Sequence, residues 1–222
     1  MKPKFAVSAI LLLMTASLAQ TGTAQQAEDL YQGTVVTRQE TQDSITYTLK
    51  EDLSFSGFRT EDTVFAGSVF FNQLADHTRP ASESVMTFTG TGMSMSFDDC
   101  SSIHSDRWVN DNEGGGAIRG ETLTFTDMGD LSFNNCKSIV NADTNAGGAV
   151  NARGDITFSH MGNISFTNNM LGDDSQQGQA LGGALFTWGK IDFENTKSIL
   201  FSGNSTGHSP TSCLLYTSPS PR

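Results

Sequence analysis

One spacing pattern limits this chain more than any other. An apolar-x-aromatic triplet is followed, after a short gap, by apolar-x-Phe, five times over. The pairs are Ile45-Thr46-Tyr47 with Leu53-Ser54-Phe55, Met86-Thr87-Phe88 with Met95-Ser96-Phe97, and Leu123-Thr124-Phe125 with Leu131-Ser132-Phe133. Ile156-Thr157-Phe158 with Ile164-Ser165-Phe166 and Ile191-Asp192-Phe193 with Ile199-Leu200-Phe201 complete the set. The closing Phe residues fall at 55, 97, 133, 166 and 201, so the period runs 42, 36, 33 and 35 and tightens along the chain. Each triplet alternates as a half-buried strand does, with one face apolar and Thr or Ser on the other. Gly, Asn and Asp fill the gaps and leave no room for a helix.

A third element precedes the pair in the later repeats: Gly115-Gly116-Ala117-Ile118, Gly147-Gly148-Ala149-Val150 and Gly182-Gly183-Ala184-Leu185. Ala66-Gly67-Ser68-Val69 reads as a degenerate earlier copy. Glycine permits a sharp bend or a close approach, and the Ile, Val or Leu that follows is expected to point inward. Three short strands per repeat, none able to bury its own apolar face, predict an all-β fold. The architecture expected is a right-handed parallel β-helix of about five coils. Stacking would set Phe133, Phe166 and Phe201 in one internal ladder and Phe125, Phe158 and Phe193 in another. An antiparallel sandwich also explains the alternation, but not the three-strand period.

The ends differ from the middle. Lys2 and Lys4 precede an apolar run at residues 5–14, and small residues follow up to Ala19, so residues 1–19 read as a secretory signal peptide, with Ala24 as the alternative cleavage point. Residues 20–42 lack the repeat and are expected to cap or lead into the first coil. Residues 43–212 carry the repeats. Residues 213–222, CLLYTSPSPR, break from that texture and resemble a translated sequencing-library adaptor, which would make the repeats incomplete at their C-terminal end. An unfinished last coil exposes a strand edge, so this fragment is expected to aggregate more than a complete, monomeric parent. Without Lys2, Lys4 and Arg222, ten of the 13 basic residues remain against 24 acidic ones, a net charge of −14. Such a balance argues against nucleic acid or anionic membrane as a partner.

The GGA triplets followed by Phe-x-x-Asn, in Phe166-Thr167-Asn168-Asn169 and Phe201-Ser202-Gly203-Asn204, resemble the paired motifs of the chlamydial-type polymorphic outer-membrane proteins. The resemblance covers about residues 45 to 207 and is strongest from Gly115 onward. It implies a β-helical autotransporter passenger displayed on a cell surface and active in adhesion to a host-cell, matrix or envelope ligand. Attachment to the membrane would run only through a region beyond residue 212. Two repeats depart from the motif, Phe97-Asp98-Asp99-Cys100 and Phe133-Asn134-Asn135-Cys136, where Cys stands in place of Asn.

These two cysteines occupy one repeat position in consecutive coils about 4.8 Å apart. That separation lies within the Cα range for a disulfide, so a Cys100–Cys136 bridge is expected, with stacked free thiols as the alternative.

Little else suggests chemistry. The outward ladders Thr46, Thr87, Thr124, Thr157 with Asp192, and Ser54, Ser96, Ser132, Ser165 with Leu200, hold no converging acid and base. Asp98-Asp99 and Asp173-Asp174 read as solvated or backbone-bonding turn acids. His77, His104, His160 and His208 are isolated, without metal-ligand spacing. No nucleotide-binding glycine motif is present, and no cofactor is expected. Trp108 and Trp188 read as packing or loop residues. The function expected is contact rather than catalysis. A polysaccharide-active β-helix enzyme and a purely structural envelope-layer protein are the alternatives.

Overall fold

The computed structural model describes residues 20–21, 35–61, 69–71, 84–104, 114–140, 144–172, 179–207 and 215–217. The signal segment, His77, Trp108, the Asp173-Asp174 pair and His208 lie outside them. Among the described residues every regular element is a β-strand.

The first triplet of each repeat builds a sheet of five parallel strands: Ser44–Leu49, Val85–Thr89, Thr122–Thr126, Ile156–Ser159 and Ile191–Glu194. The second triplets build another: Leu53–Ser56, Met95–Asp98, Leu131–Asn134, Asn163–Thr167 and Ser198–Ser202. Their outward residues make these the threonine sheet and the serine sheet. The GGA segments lead into a third sheet, containing Phe70–Phe71, Ile118–Gly120, Val150–Ala152, Leu185–Thr187 and Leu215–Thr217. Every strand in these ladders pairs with its counterpart one repeat away, so each repeat adds one rung to every sheet. Val36–Glu40 is the exception. It folds back antiparallel on Ser44–Leu49, where Arg38 and Glu40 form an ion pair at 2.6 Å.

Three strands per repeat is one too few. A fourth parallel sheet lies beyond the corner that ends each second triplet: Phe58–Glu61, Ser101–His104, Lys137–Val140, Met170–Leu171 and Ser205–Thr206, with Gln20–Thr21 added beside the first of them. Later repeats add a further pair, Thr144–Ala146 with Gln179–Leu181. These strands are two to four residues long and carry no common apolar alternation; pairing between neighbouring repeats defines them. Two other expectations also shift. Phe70, not Val69, stands in register with Ile118, so the early copy of the glycine motif is offset by one residue. Leu215–Thr217, set aside as foreign to the repeat, pairs in parallel with Leu185–Thr187. A parallel edge bonds through its backbone and accepts an extended segment whatever its origin.

Two aromatic ladders fill the interior. Tyr47, Phe88, Phe125, Phe158 and Phe193 stack with centroids 4.9–5.2 Å apart and planes within 16°. Phe55, Phe97, Phe133, Phe166 and Phe201 stack at 4.8–5.1 Å and within 13°. Phe70 closes the first rung, edge-on to Tyr47, Phe55 and Phe88. Each ring buried in full stabilises by about 1.5–3 kcal/mol, and each stacked pair adds about 0.5–1.5 kcal/mol. Phe193 and Phe201, on the last rung of their sheets, are only half-buried.

Candidate functional site

The repeat motifs sit at two kinds of corner. At the corner after the serine sheet, the third residue of every Phe-x-x-x unit turns into the left-handed region: Gly57, Asp99, Asn135, Asn168 and Gly203, with φ between +50° and +70°. Asn, Asp and Gly tolerate that conformation best, which explains the residue choice there. The fourth residue then turns inward. Asn169 and Asn204 are both buried. The Asn169 amide donates to the Phe133 carbonyl one rung earlier (3.1 Å), and its oxygen accepts the Cys136 N–H (2.9 Å). Asn204 repeats this, donating to Phe166 (2.8 Å) and accepting the Asn169 N–H (2.9 Å) and side-chain amide (2.9 Å). The motif asparagine therefore splices adjacent rungs at a bend where strand pairing is interrupted.

Cys136 and Cys100 occupy that position one and two rungs before Asn169, and they are free buried thiols, not a disulfide. The Cys136 thiol faces the Phe97 carbonyl at 3.7 Å, and the Cys100 thiol faces that of Phe55 at 3.8 Å. Each makes a weak version of the asparagine's contact. In-register parallel strands point equivalent Cα–Cβ bonds the same way, so the Cβ atoms stay about one strand spacing apart. A disulfide needs them at about 3.5–4.5 Å. The Cα distance that suggested the bridge ignores this direction. Burial pushes the Cys136 thiol well above its ordinary value, the hydrogen bond with Cys100 reinforces the shift, and the Cys100 N–H opposes it.

The second corner is the GGA segment. Gly115, Gly147 and Gly182 take φ of +93°, +69° and +72°. At the next position, a Cβ on Gly116 would collide with the carbonyls of Gly148 and Lys137, and one on Gly148 with the Gly183 carbonyl and the Met170 backbone. Gly183 meets Ser205 in the same way. The paired glycines thus serve a left-handed bend and then a close approach to the strand beyond the Phe-x-x-Asn corner. Ala117, Ala149 and Ala184 follow, fully buried, and Ile118, Val150 and Leu185 point into the core.

Outside, a polar staircase escaped the sequence reading. Asp52 Oδ1 accepts the Ser94 N–H (2.8 Å), Ser94 Oγ accepts the Asp130 N–H (3.0 Å), and Asp130 Oδ1 accepts from Asn163 N–H (2.8 Å) and its amide (2.9 Å). Ser198 Oγ donates onward to Asn163 (2.8 Å). These bonds from the Asn163 backbone and side chain hold the Asp130 carboxyl below its usual range. The signal was available: a polar acceptor directly precedes the second triplet in all five repeats. Asp98 and Asp99 accept from Asn134 (2.6 Å) and Asn135 (3.1 Å) on the next rung. His160 lies 3.3 Å from the Asn195 amide and 3.9 Å from Asp127 in a third corner ladder. His104 ends the strand Ser101–His104. Trp188 is 38% exposed and rests edge-on against buried Phe186 at 5.3 Å. Glu121, also missed, is a buried carboxylate 3.9 Å from Arg153.

The threonine sheet faces outward with Thr46, Thr87, Thr124 and Thr157 in register, continued by Asp192. On the serine sheet the corresponding row is Ser54, Ser96, Ser132 and Ser165, continued by Leu200, which is 52% exposed. No family model, curated protein or solved structure matches the chain.

Proposed function

We propose that this chain is the right-handed parallel β-helical passenger of a secreted or surface-displayed protein of the polymorphic outer-membrane type, acting by contact with a host-cell, matrix or envelope ligand. The observation that carries the reading is the register of the repeats. Equivalent residues of successive repeats lie side by side in four parallel ladders, so the chain lengthens by whole rungs and presents long, regular faces. The motif positions support the kinship, since the second glycine of GGA and the asparagine of Phe-x-x-Asn each have a contact that few other residues could make. The right hand follows from the general preference of parallel crossover connections. An acidic, repetitive exterior suits solubility and display, whereas catalysis on such a scaffold needs acid and base converging in a groove.

The test uses the purified full chain, immobilised on beads and offered to cultured host cells and extracellular-matrix proteins. Saturable binding lost on unfolding supports a contact role. Steady cleavage of acidic or neutral polysaccharide by the same preparation would replace it with the enzyme reading.

A further inference from the structure

The threonine sheet carries a second regularity that adhesion in general does not require. Its outward side chains form a two-dimensional grid. Down the middle run Thr46, Thr87, Thr124 and Thr157; two residues further along each strand run Thr48, Thr89, Thr126 and Ser159. The antiparallel strand Val36–Glu40 extends both rows, because Gln39 pairs with Thr46 and Thr37 with Thr48. The backbone positions that carry these side chains repeat along the strand about every 6.6–6.8 Å and between rungs about every 4.7–4.9 Å. The rings beneath it stack within 7–16° of parallel and hold its rungs in register. Some hydroxyls are also tied to one another, with Ser159 Oγ donating to Thr126 Oγ1 at 3.0 Å.

The chain has 24 acidic residues and a net charge of −11, yet the two rows hold no charged side chain until Asp192 and Glu194 on the last rung. Acids flank them as they flank the serine sheet: Asp127 accepts from the Thr126 hydroxyl (3.1 Å) and Asp155 from the Lys190 N–H (2.8 Å). A neutral lattice of methyls and hydroxyls complements a neutral, ordered surface and offers nothing to phosphate or to a cationic patch. It also lacks the aromatic platforms on which sugar rings stack.

We propose that the threonine face binds the surface of ice crystals. In hexagonal ice the repeat along one axis is slightly shorter than a rung and along the other slightly longer than two strand residues. Water held by the hydroxyls, with the methyls excluding disorder between them, is therefore already placed in ice-like rows. Buried aromatic ladders hold the grid rigid, so binding orders water without ordering protein. This inference stands on the grid alone and does not depend on where the chain is displayed.

The experiment measures ice recrystallisation and thermal hysteresis with the purified full chain, its fold followed by circular dichroism. Wild type is expected to halt recrystallisation, with little change between low and high salt because the rows carry no charge over four rungs. Thr124→Tyr keeps a residue suited to a strand but lifts the ice surface away, and should raise the protein concentration required by about tenfold or more, as for a central contact residue. Ser132→Tyr, on the serine sheet, should leave activity unchanged. Folded wild type without effect on ice, or equal losses in both variants, overturns the proposal. So does retention on microcrystalline cellulose or chitin without activity on ice, which would assign the grid to a crystalline glycan. Failure of the cell-binding assay leaves this result standing, and the converse also holds.

Discussion

The same corner is built in two ways within one molecule. On the last two rungs it holds Asn169 and Asn204, each donating to a phenylalanine carbonyl on the previous rung and accepting a backbone N–H from it. On the two rungs before, Cys100 and Cys136 make the donor contact through long thiol bonds, and Cys136 offers the Cys100 N–H only sulfur, a weak acceptor. The first rung dispenses with both and places Phe58 there, edge-on to Phe55. What the position must supply is therefore bulk and, where polar, a donor to the ring-bearing strand below. The oxygen acceptor is an addition that the later rungs make.

Removing the addition entirely should have the largest effect. Asn169→Leu leaves the Cys136 N–H and the Phe133 carbonyl buried without their partners, at about 1–3 kcal/mol each, so urea denaturation should report a loss of about 4 kcal/mol. A loss under about 1 kcal/mol would mean that the corner asparagine does not join the rungs. Asn169→Cys turns a late corner into an early one. It keeps a weak donor and forfeits the acceptor, and the same measurement should give a loss of about 2 kcal/mol. The reverse exchange, Cys136→Asn, should stabilise by about 1 kcal/mol, since an amide can reach Phe97 and accept the Cys100 N–H. A decrease would mean that the earlier rungs are too tight for asparagine.

The smallest effect separates the corners by pH. The folded Cys136 thiol is shifted up from an ordinary value near 9.0. The stabilisation tied to its protonated form is complete below that value. It is lost as pH rises towards the folded value, because the unfolded chain sheds its proton first. Urea midpoints should thus fall more between pH 8 and 10 in wild type than in the Cys100→Asn/Cys136→Asn variant. Identical alkaline slopes would show that the Cys136 thiol does not feel its burial. In the native state at pH 8, both thiols should react with a water-soluble maleimide only as fast as the chain opens.

Legibility followed burial. The aromatic ladders could be read because a side chain that must reach a dry interior repeats its chemistry at each rung; Phe133 and Phe166 stack 4.9 Å apart as the spacing implied. The GGA corner could be located for a similar reason, since the space at Gly148 admits no Cβ. The strands after the Asn corner could not. Lys137–Val140 and Met170–Leu171 share no pattern, and backbone bonds to neighbouring repeats create them. The register of Phe70 was missed because Val69 and Phe70 are both apolar and both buried; only pairing with Ile118 separates them. The staircase through Asp52, Ser94, Asp130 and Asn163 was visible as a column of acceptors, but its members look like ordinary turn residues until the rungs are stacked.

By itself the sequence determined which side chains go inside and how often the chain must return to the same place. Periodic alternation of apolar and hydroxyl residues is a local property that no partner needs to complete. Only the tertiary structure decided that the two cysteines stay apart and that a fourth sheet exists. Each of these depends on the direction of a bond or the pairing of a backbone between residues more than thirty positions apart in the chain, and no local pattern encodes direction at that distance.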